Sequence, residues 1–161
     1  MQAVTGQSQR REVANRAGPL HADVMHDLAR WCFSLLAAYH FAVGVPSILS
    51  VGLTRKIAGR LYQLSLPEVL DPRYEYALKA MGFYALTIAL ICLLPFGFED
   101  PGFESAILCT MAFLLFVRAL GRFFYRDLAF RAFGISWQRS RINVIFNILF
   151  TGLLLTVAYR L

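Results

Sequence analysis

The chain has 161 residues, 58 % hydrophobic and 16 % charged, with a net charge of +6 and a mean hydropathy of +0.54. That length admits one domain, and that hydropathy excludes a soluble globular domain and a disordered chain alike. The basic excess points to an anionic surface as partner, and the apolar context makes it lipid headgroups, with no nucleic acid.

Apolar stretches over 28–53, 74–98, 103–122 and 142–158 are each long enough, or nearly so, to cross a bilayer, for which about 20 apolar residues suffice. They predict an all-α fold: an integral membrane four-helix bundle occupying 28–161, with an amphipathic interfacial segment between helices 1 and 2. Residues 1–27 read as a polar N-terminal extension without the apolar core and cleavage site of a secretory signal, so the first span is expected to do the targeting.

In the first span, Asp27 stands where a carboxylate can cap free N–H groups and Trp31 at headgroup level. Gly44 and Pro46 predict a kink near 42–46, with Ser47 or a neighbouring helix taking up the freed carbonyl. His40 falls near the midplane beside Ala37, Ala38 and Gly44, which leave room for a flat ring system. An imidazole at that depth suits an axial ligand for haem or chlorophyll, although His21 and His26 both precede the span and leave no second intramembrane histidine. The alternatives are a structural hydrogen bond to Thr87 or Thr110, or proton handling.

Over 54–70, Ile57, Leu61, Leu64 and Tyr62 recur at helical spacing, with Arg55, Lys56, Arg60 and Gln63 on the opposite arc. Such a segment lies on the membrane, where each of Arg55, Lys56 and Arg60 gains about 1 kcal/mol from anionic lipid headgroups. Asp71-Pro72 starts the second helix and Pro95 with Gly97 ends it. The following turn carries Glu99, Asp100 and Glu104, read as solvated loop carboxylates too few for calcium.

The third span is short of apolar residues, so a full crossing takes in Arg118 and Arg122. A charge at the bilayer centre costs about 2.5–3.5 kcal/mol on insertion scales and is turned toward a partner or water. Glu75 and Lys79 of the second helix and Asn143 and Asn147 of the fourth share that depth, which predicts one inner-face polar cluster of six residues. Two readings fit it. Either Arg118, Arg122 and Arg126 snorkel to phosphates while the Asn side chains bind neighbouring helices, or the cluster is the polar end of a pocket for an anionic or carbonyl-bearing lipid-phase molecule such as a quinone. Beyond it, Phe123, Phe124, Phe130, Phe133 and Trp137 alternate with arginines, among which Arg126 and Arg131 are expected on headgroups. Cys32, Cys92 and Cys109 lie in apolar sequence without metal spacing and read as small buried hydrophobes, with no metal site.

Arg55, Lys56, Arg60 and Arg73 follow the first span, and Arg122, Arg126, Arg131, Arg139 and Arg141 the third. By the positive-inside rule these connections face the cytoplasm of a bacterial inner membrane, leaving the termini outside, a placement that Arg10, Arg11, Arg16 and Arg30 oppose.

Gly44-Val-Pro46, the stretch from Asp71-Pro-Arg-Tyr-Glu-Tyr through Gly82, and the Arg-rich exit of the third helix together resemble the DoxX-like small four-helix membrane proteins. The resemblance, over residues 28–160, implies a compact bundle and either a quinone-linked redox role or an accessory role beside larger membrane proteins. No nucleophile elbow, phosphate-binding glycine loop or HExxH motif is present. The expected function is therefore a non-catalytic accessory subunit associated with other integral membrane subunits. The alternatives are a quinone-linked redox subunit and a haem- or chlorophyll-binding subunit acting through His40.

Overall fold

A computed structural model describes residues 5–62, 66–98 and 100–161, with side chains from Asp23 onward except at 61 and 62. In chain order it contains α1 (Thr5–Leu49), α2 (Val51–Tyr62), α3 (Pro72–Leu93), a 3-10 turn (Leu94–Phe96), α4 (Pro101–Phe124), α5 (Arg126–Phe133) and α6 (Trp137–Arg160). Four segments are long and apolar enough to cross a membrane: Asp23–Leu49, Pro72–Phe96, Pro101–Phe124 and Trp137–Arg160. The chain is thus all-helical among the described residues and has the makings of an integral membrane protein.

The helices outrun the apolar stretches. α1 continues through most of the polar extension, and α6 starts at Trp137, ahead of the apolar sequence. Hydropathy marks where hydrocarbon is tolerated, whereas a helix continues as long as its backbone bonds close and a cap has not intervened. The caps are explicit. Asp71 accepts from Arg73 N at 2.8 Å and Asp100 from Gly102 N at 2.8 Å, each followed by proline at the first helical position. Ser136 accepts from Arg139 N at 3.3 Å, and Gly134 closes α5 with φ of 68°, a left-handed conformation that suits glycine.

Around Pro46 the break comes later than the predicted 42–46. α1 runs past the proline to Leu49, and the chain turns at Ser50 into α2. Ser47 Oγ donates to Val43 O at 2.8 Å, rather than to the carbonyl that Pro46 leaves unpaired, and Thr54 Oγ1 reaches both Pro46 O (2.8 Å) and Ser50 O (2.9 Å). Pro46 O and Ser50 O also accept from Ser50 N (3.0 Å) and Thr54 N (2.9 Å), so the Thr54 hydroxyl adds a second bond to each and fastens α2 to the end of α1.

α1 packs against α3, α4 against α6, and α1 also touches α6. The α1–α3 crossing depends on two glycines: a Cβ on Gly44 would stand 2.9 Å from Gly82 O, and one on Gly82 would stand 2.9 Å from Ser47 Cβ and Ile48 Cγ1. Small residues let backbones approach where lipid supplies no hydrophobic drive between helices. The main core joins Phe33, Leu36 and Ala37 of α1, Cys92 of α3, Leu108 and Met111 of α4, and Leu154 and Val157 of α6. These positions lie where the α1 span begins, α3 ends, α4 begins and α6 ends, so the core sits at the end that carries the turn between α3 and α4. Cys109 departs from its expected burial: it is exposed, while Cys32 and Cys92 are buried.

Candidate functional site

Toward the opposite, Arg-rich end each spanning helix carries half-buried polar side chains, with Gly44 and Ser47 of α1, Ala119 of α4 and Ser140 of α6 still buried. On α1, Ala29, Phe33, Leu36 and Ala37 are buried and His40 is half-buried; on α4, Glu104, Leu108 and Met111 are buried and Leu115, Arg118 and Arg122 half-buried. α3 passes from Cys92, Ala89, Ala85 and Gly82 to half-buried Leu78 and Glu75, and α6 from Leu154, Thr151 and Asn147 to half-buried Val144 and Asn143. The main core thus lies at one end, and half-buried polar side chains gather at the other.

Five of the six predicted cluster residues are half-buried or buried, while Lys79 stands on the exposed flank of α3. Lys79 Nζ pairs with Glu75 Oε1 at 2.7 Å on its own helix, the i, i+4 contact that the sequence spacing allows. Arg118 Nη2 crosses to α1 and donates to the Tyr39 hydroxyl at 2.7 Å, with its guanidinium carbon 5.5 Å from the centre of the Tyr39 ring. Asn147 Nδ2 donates to Asn143 O at 2.6 Å, and Thr151 Oγ1 to Asn147 O at 2.8 Å. Ser140 Oγ donates to Arg122 O at 3.4 Å, tying α6 to α4. Asn143 Nδ2 is buried and has no hydrogen-bond partner among the described residues, a donor that calls for an explanation.

His40 does not reach Thr87 or Thr110. Those hydroxyls donate within their own helices, to Phe83 O (3.0 Å) and Ala106 O (2.8 Å), while His40 Nδ1 donates to Leu36 O at 2.8 Å. The intrahelical carbonyl four residues back is always in reach, so it outcompetes a neighbour whose rotation must be right. A carbonyl only accepts, so Nδ1 carries the proton and Nε2 of the neutral ring is an acceptor. The ring stands edge-on to Tyr39, centroids 5.0 Å apart and planes at 87°.

Sequence reasoning missed two participants. Tyr39 gave no signal because an aromatic beside a histidine in an apolar run reads as core; only the neighbouring helix shows that its hydroxyl meets Arg118. Glu104, read as a loop carboxylate, is 1 % exposed and accepts from His26 Nδ1 at 3.2 Å. Asp100, not Glu104, caps α4, and the helix turns Glu104 inward one turn later. The helical register from Glu104 to Leu108 and Met111 was the available clue. A depression of about 380 Å³ beside the pair is lined by Asp23, His26, Asp27, Arg30, Pro101 and Glu104. Glu99 lies outside the described residues, as do Gln63 and Leu64 of the amphipathic segment.

Among the predicted headgroup residues, Lys56 and Arg60 are exposed on α2. Arg55 is half-buried, and its Nη2 donates to Pro67 O and Glu68 O, both at 2.7 Å, tying α2 to the chain that leads into α3. Arg126 lies over the Trp137 ring at 4.7 Å and the Phe123 ring at 5.5 Å, and Arg131 Nε donates to Asp127 O at 3.4 Å. Arg126, Asp127, Phe130, Arg131 and Trp137 line a groove of about 620 Å³. Among the described residues no group of three or more His, Cys, Asp or Glu side chains could hold a metal ion. Comparison with family models, curated proteins and solved structures found no match.

Proposed function

We propose that the chain is a non-catalytic accessory subunit that docks on another integral membrane protein, a compact four-helix bundle with α2 and α5 on the membrane surface. The observation that carries this reading is Gly152. It lies mid-helix on the exposed face of α6, and a Cβ there would meet nothing within 4 Å. Gly44 and Gly82 serve close helix approach inside the chain; Gly152 offers the same approach outward, flanked by Leu149, Leu155 and Thr156. The resemblance to DoxX-like proteins is in keeping with such a role, as is a place in a bacterial inner membrane with the Arg-rich connections cytoplasmic. Gly152→Leu fills no occupied space, so the isolated subunit should melt as the wild type does while losing its partner in native mass spectrometry. A wild type that stays a lone monomer through mild solubilisation sinks the reading. A partner retained by Gly152→Leu rejects the α6 face as the docking surface.

A quinone-linked redox subunit is the second reading, favoured by Arg118, Tyr39 and His40. Guanidinium N–H groups and a phenol at membrane depth can hold a quinone carbonyl oxygen, and co-purifying quinone lost in Arg118→Gln is the expected sign. A Soret or chlorin band would instead favour ligation of haem or chlorophyll through His40 Nε2.

A further inference from the structure

We infer that the groove between α5 and the start of α6 is a binding site for the phosphodiester of an anionic phospholipid, held by Arg126 and Arg131. The inference rests on the placement of α5 at the membrane surface proposed above, and not on the docking of another subunit at Gly152.

Position is the first argument. α4 ends at Phe124 and α6 begins at Trp137, so the chain between them joins two spans on one side of the membrane. Each of these helices has 24 residues, about 36 Å of length against a hydrocarbon layer of about 30 Å, and a centred span puts its ends about 3 Å outside that layer. Trp137 is then at headgroup level, where amphipathic rings settle, and Arg126 follows two residues after the end of α4. No residue of α5 is buried by the rest of the protein, Leu128 and Phe130 included. A bilayer surface covers such a helix.

Recognition is the second argument. Arg126, Asp127, Phe130, Arg131 and Trp137 line the groove, which sets two guanidiniums against one carboxylate. Asp127 occupies neither of them closely. Its side chain is 82 % exposed and stands 3.6 Å from Arg126 Nε, longer than a charge-assisted hydrogen bond of about 2.8 Å. Arg131 Nε meets the backbone carbonyl of Asp127 at 3.4 Å, and no carboxylate pairs with Arg131 among the described residues. Arg126 instead rests on the Trp137 ring at 4.7 Å and the Phe123 ring at 5.5 Å. A ring face attracts a cation but brings no compensating negative charge. A phosphodiester brings that charge, with two free oxygens that match guanidinium forks. The aromatic walls of Trp137 and Phe130 suit the glycerol ester region joined to a lipid phosphate, and they offer nothing to a free inorganic anion.

The full chain carrying Trp31→Phe keeps Trp137 as its one tryptophan and serves as the probe in nanodiscs that mix phosphatidylcholine and phosphatidylglycerol, one or the other brominated on its acyl chains. At equal content, brominated phosphatidylglycerol should quench Trp137 more than brominated phosphatidylcholine. Arg126→Gln and Arg131→Gln should each lower the relative binding constant about fivefold, and Arg131→Lys, which keeps the charge and loses the fork, should lower it as well. Arg73→Gln removes the same charge from an exposed position outside the groove and should leave it unchanged. Arg131→Gln decides the matter if Arg126→Gln, which also loses its ring contacts, fails to fold. Quenching without preference for either lipid overturns the inference and leaves α5 at the membrane surface; quenching by neither lipid overturns that placement too. An unchanged preference in Arg131→Gln, an equal loss in Arg73→Gln, or a loss caused by inorganic phosphate and not by chloride at matched ionic strength also overturns the lipid site.

Discussion

The two ends of the helix pairs are built on different principles. At the acidic-turn end, Phe33, Leu108 and Leu154, none of them exposed, bring three helices into one core that Cys92 of α3 completes. At the Arg-rich end the same helices carry His40, Glu75, Arg118 and Asn143, all half-buried, and polar contacts such as Arg118 to Tyr39 and Ser140 to Arg122 join the helices beside the close Gly44–Gly82 approach. Lipid tails are as apolar as leucine, so helices associate through shape and hydrogen bonding. One end joins the helices through an apolar core, and the other adds polar contacts to a close glycine approach. Stability should therefore concentrate at the first end.

The largest expected effect breaks that division directly. Leu108→Ala should cost about 3 kcal/mol, within the range for a buried leucine, while Leu115→Ala, two turns on and half-buried, should cost less than about half as much. Unfolding in mixed micelles measures both, and equal losses would mean that the Arg-rich end is packed as tightly as the core.

Next comes the helix crossing. Gly82→Ala should cost about 1–3 kcal/mol, because the added methyl meets side chains and the backbone of α1 with no open space beside it. Gly152→Ala, whose methyl meets nothing, should stay within about 0.5 kcal/mol of wild type in the isolated subunit.

The His26–Glu104 pair sharpens the comparison from the packed side, since it is a polar link inside the apolar end. Replacing Glu104 by alanine should cost about 1–3 kcal/mol, and His26→Ala in that background should add little, because the partner is already gone. Strictly additive losses in a double-mutant cycle would show that the 3.2 Å contact contributes nothing. The smallest effect belongs to the Lys79–Glu75 pair at the Arg-rich end: Lys79→Gln should change stability by about 0.3–0.5 kcal/mol, and a larger loss would show that Lys79 holds more than its own helix neighbour.

Much of the fold was legible because its determinants are local. Apolar run length marked the spans, and Asp71-Pro72 marked the start of the second helix. Partners across helices were not legible. Glu75 was within reach of either Lys79 or an arginine on α4, and the choice depended on which helices are neighbours: α3 packs on α1, not principally on α4. Tyr39 became the partner of Arg118 for the same reason. Glu104 was misread because a carboxylate near a turn is normally solvated, and only the docking of α1 beside α4 covers it.

The sequence by itself determined that this chain is helical, that it carries four membrane-length apolar segments, and that its Arg-rich end concentrates positive charge. Those properties depend on hydropathy, caps and residue counting, which operate within one helix. Tertiary structure alone decided which helices pair, that the core lies at the acidic-turn end, that Glu104 is buried against His26, and that Arg118 meets Tyr39. Each of these depends on the rotation of one helix against another, set by packing at Gly44, Gly82 and Leu108, which no single segment encodes.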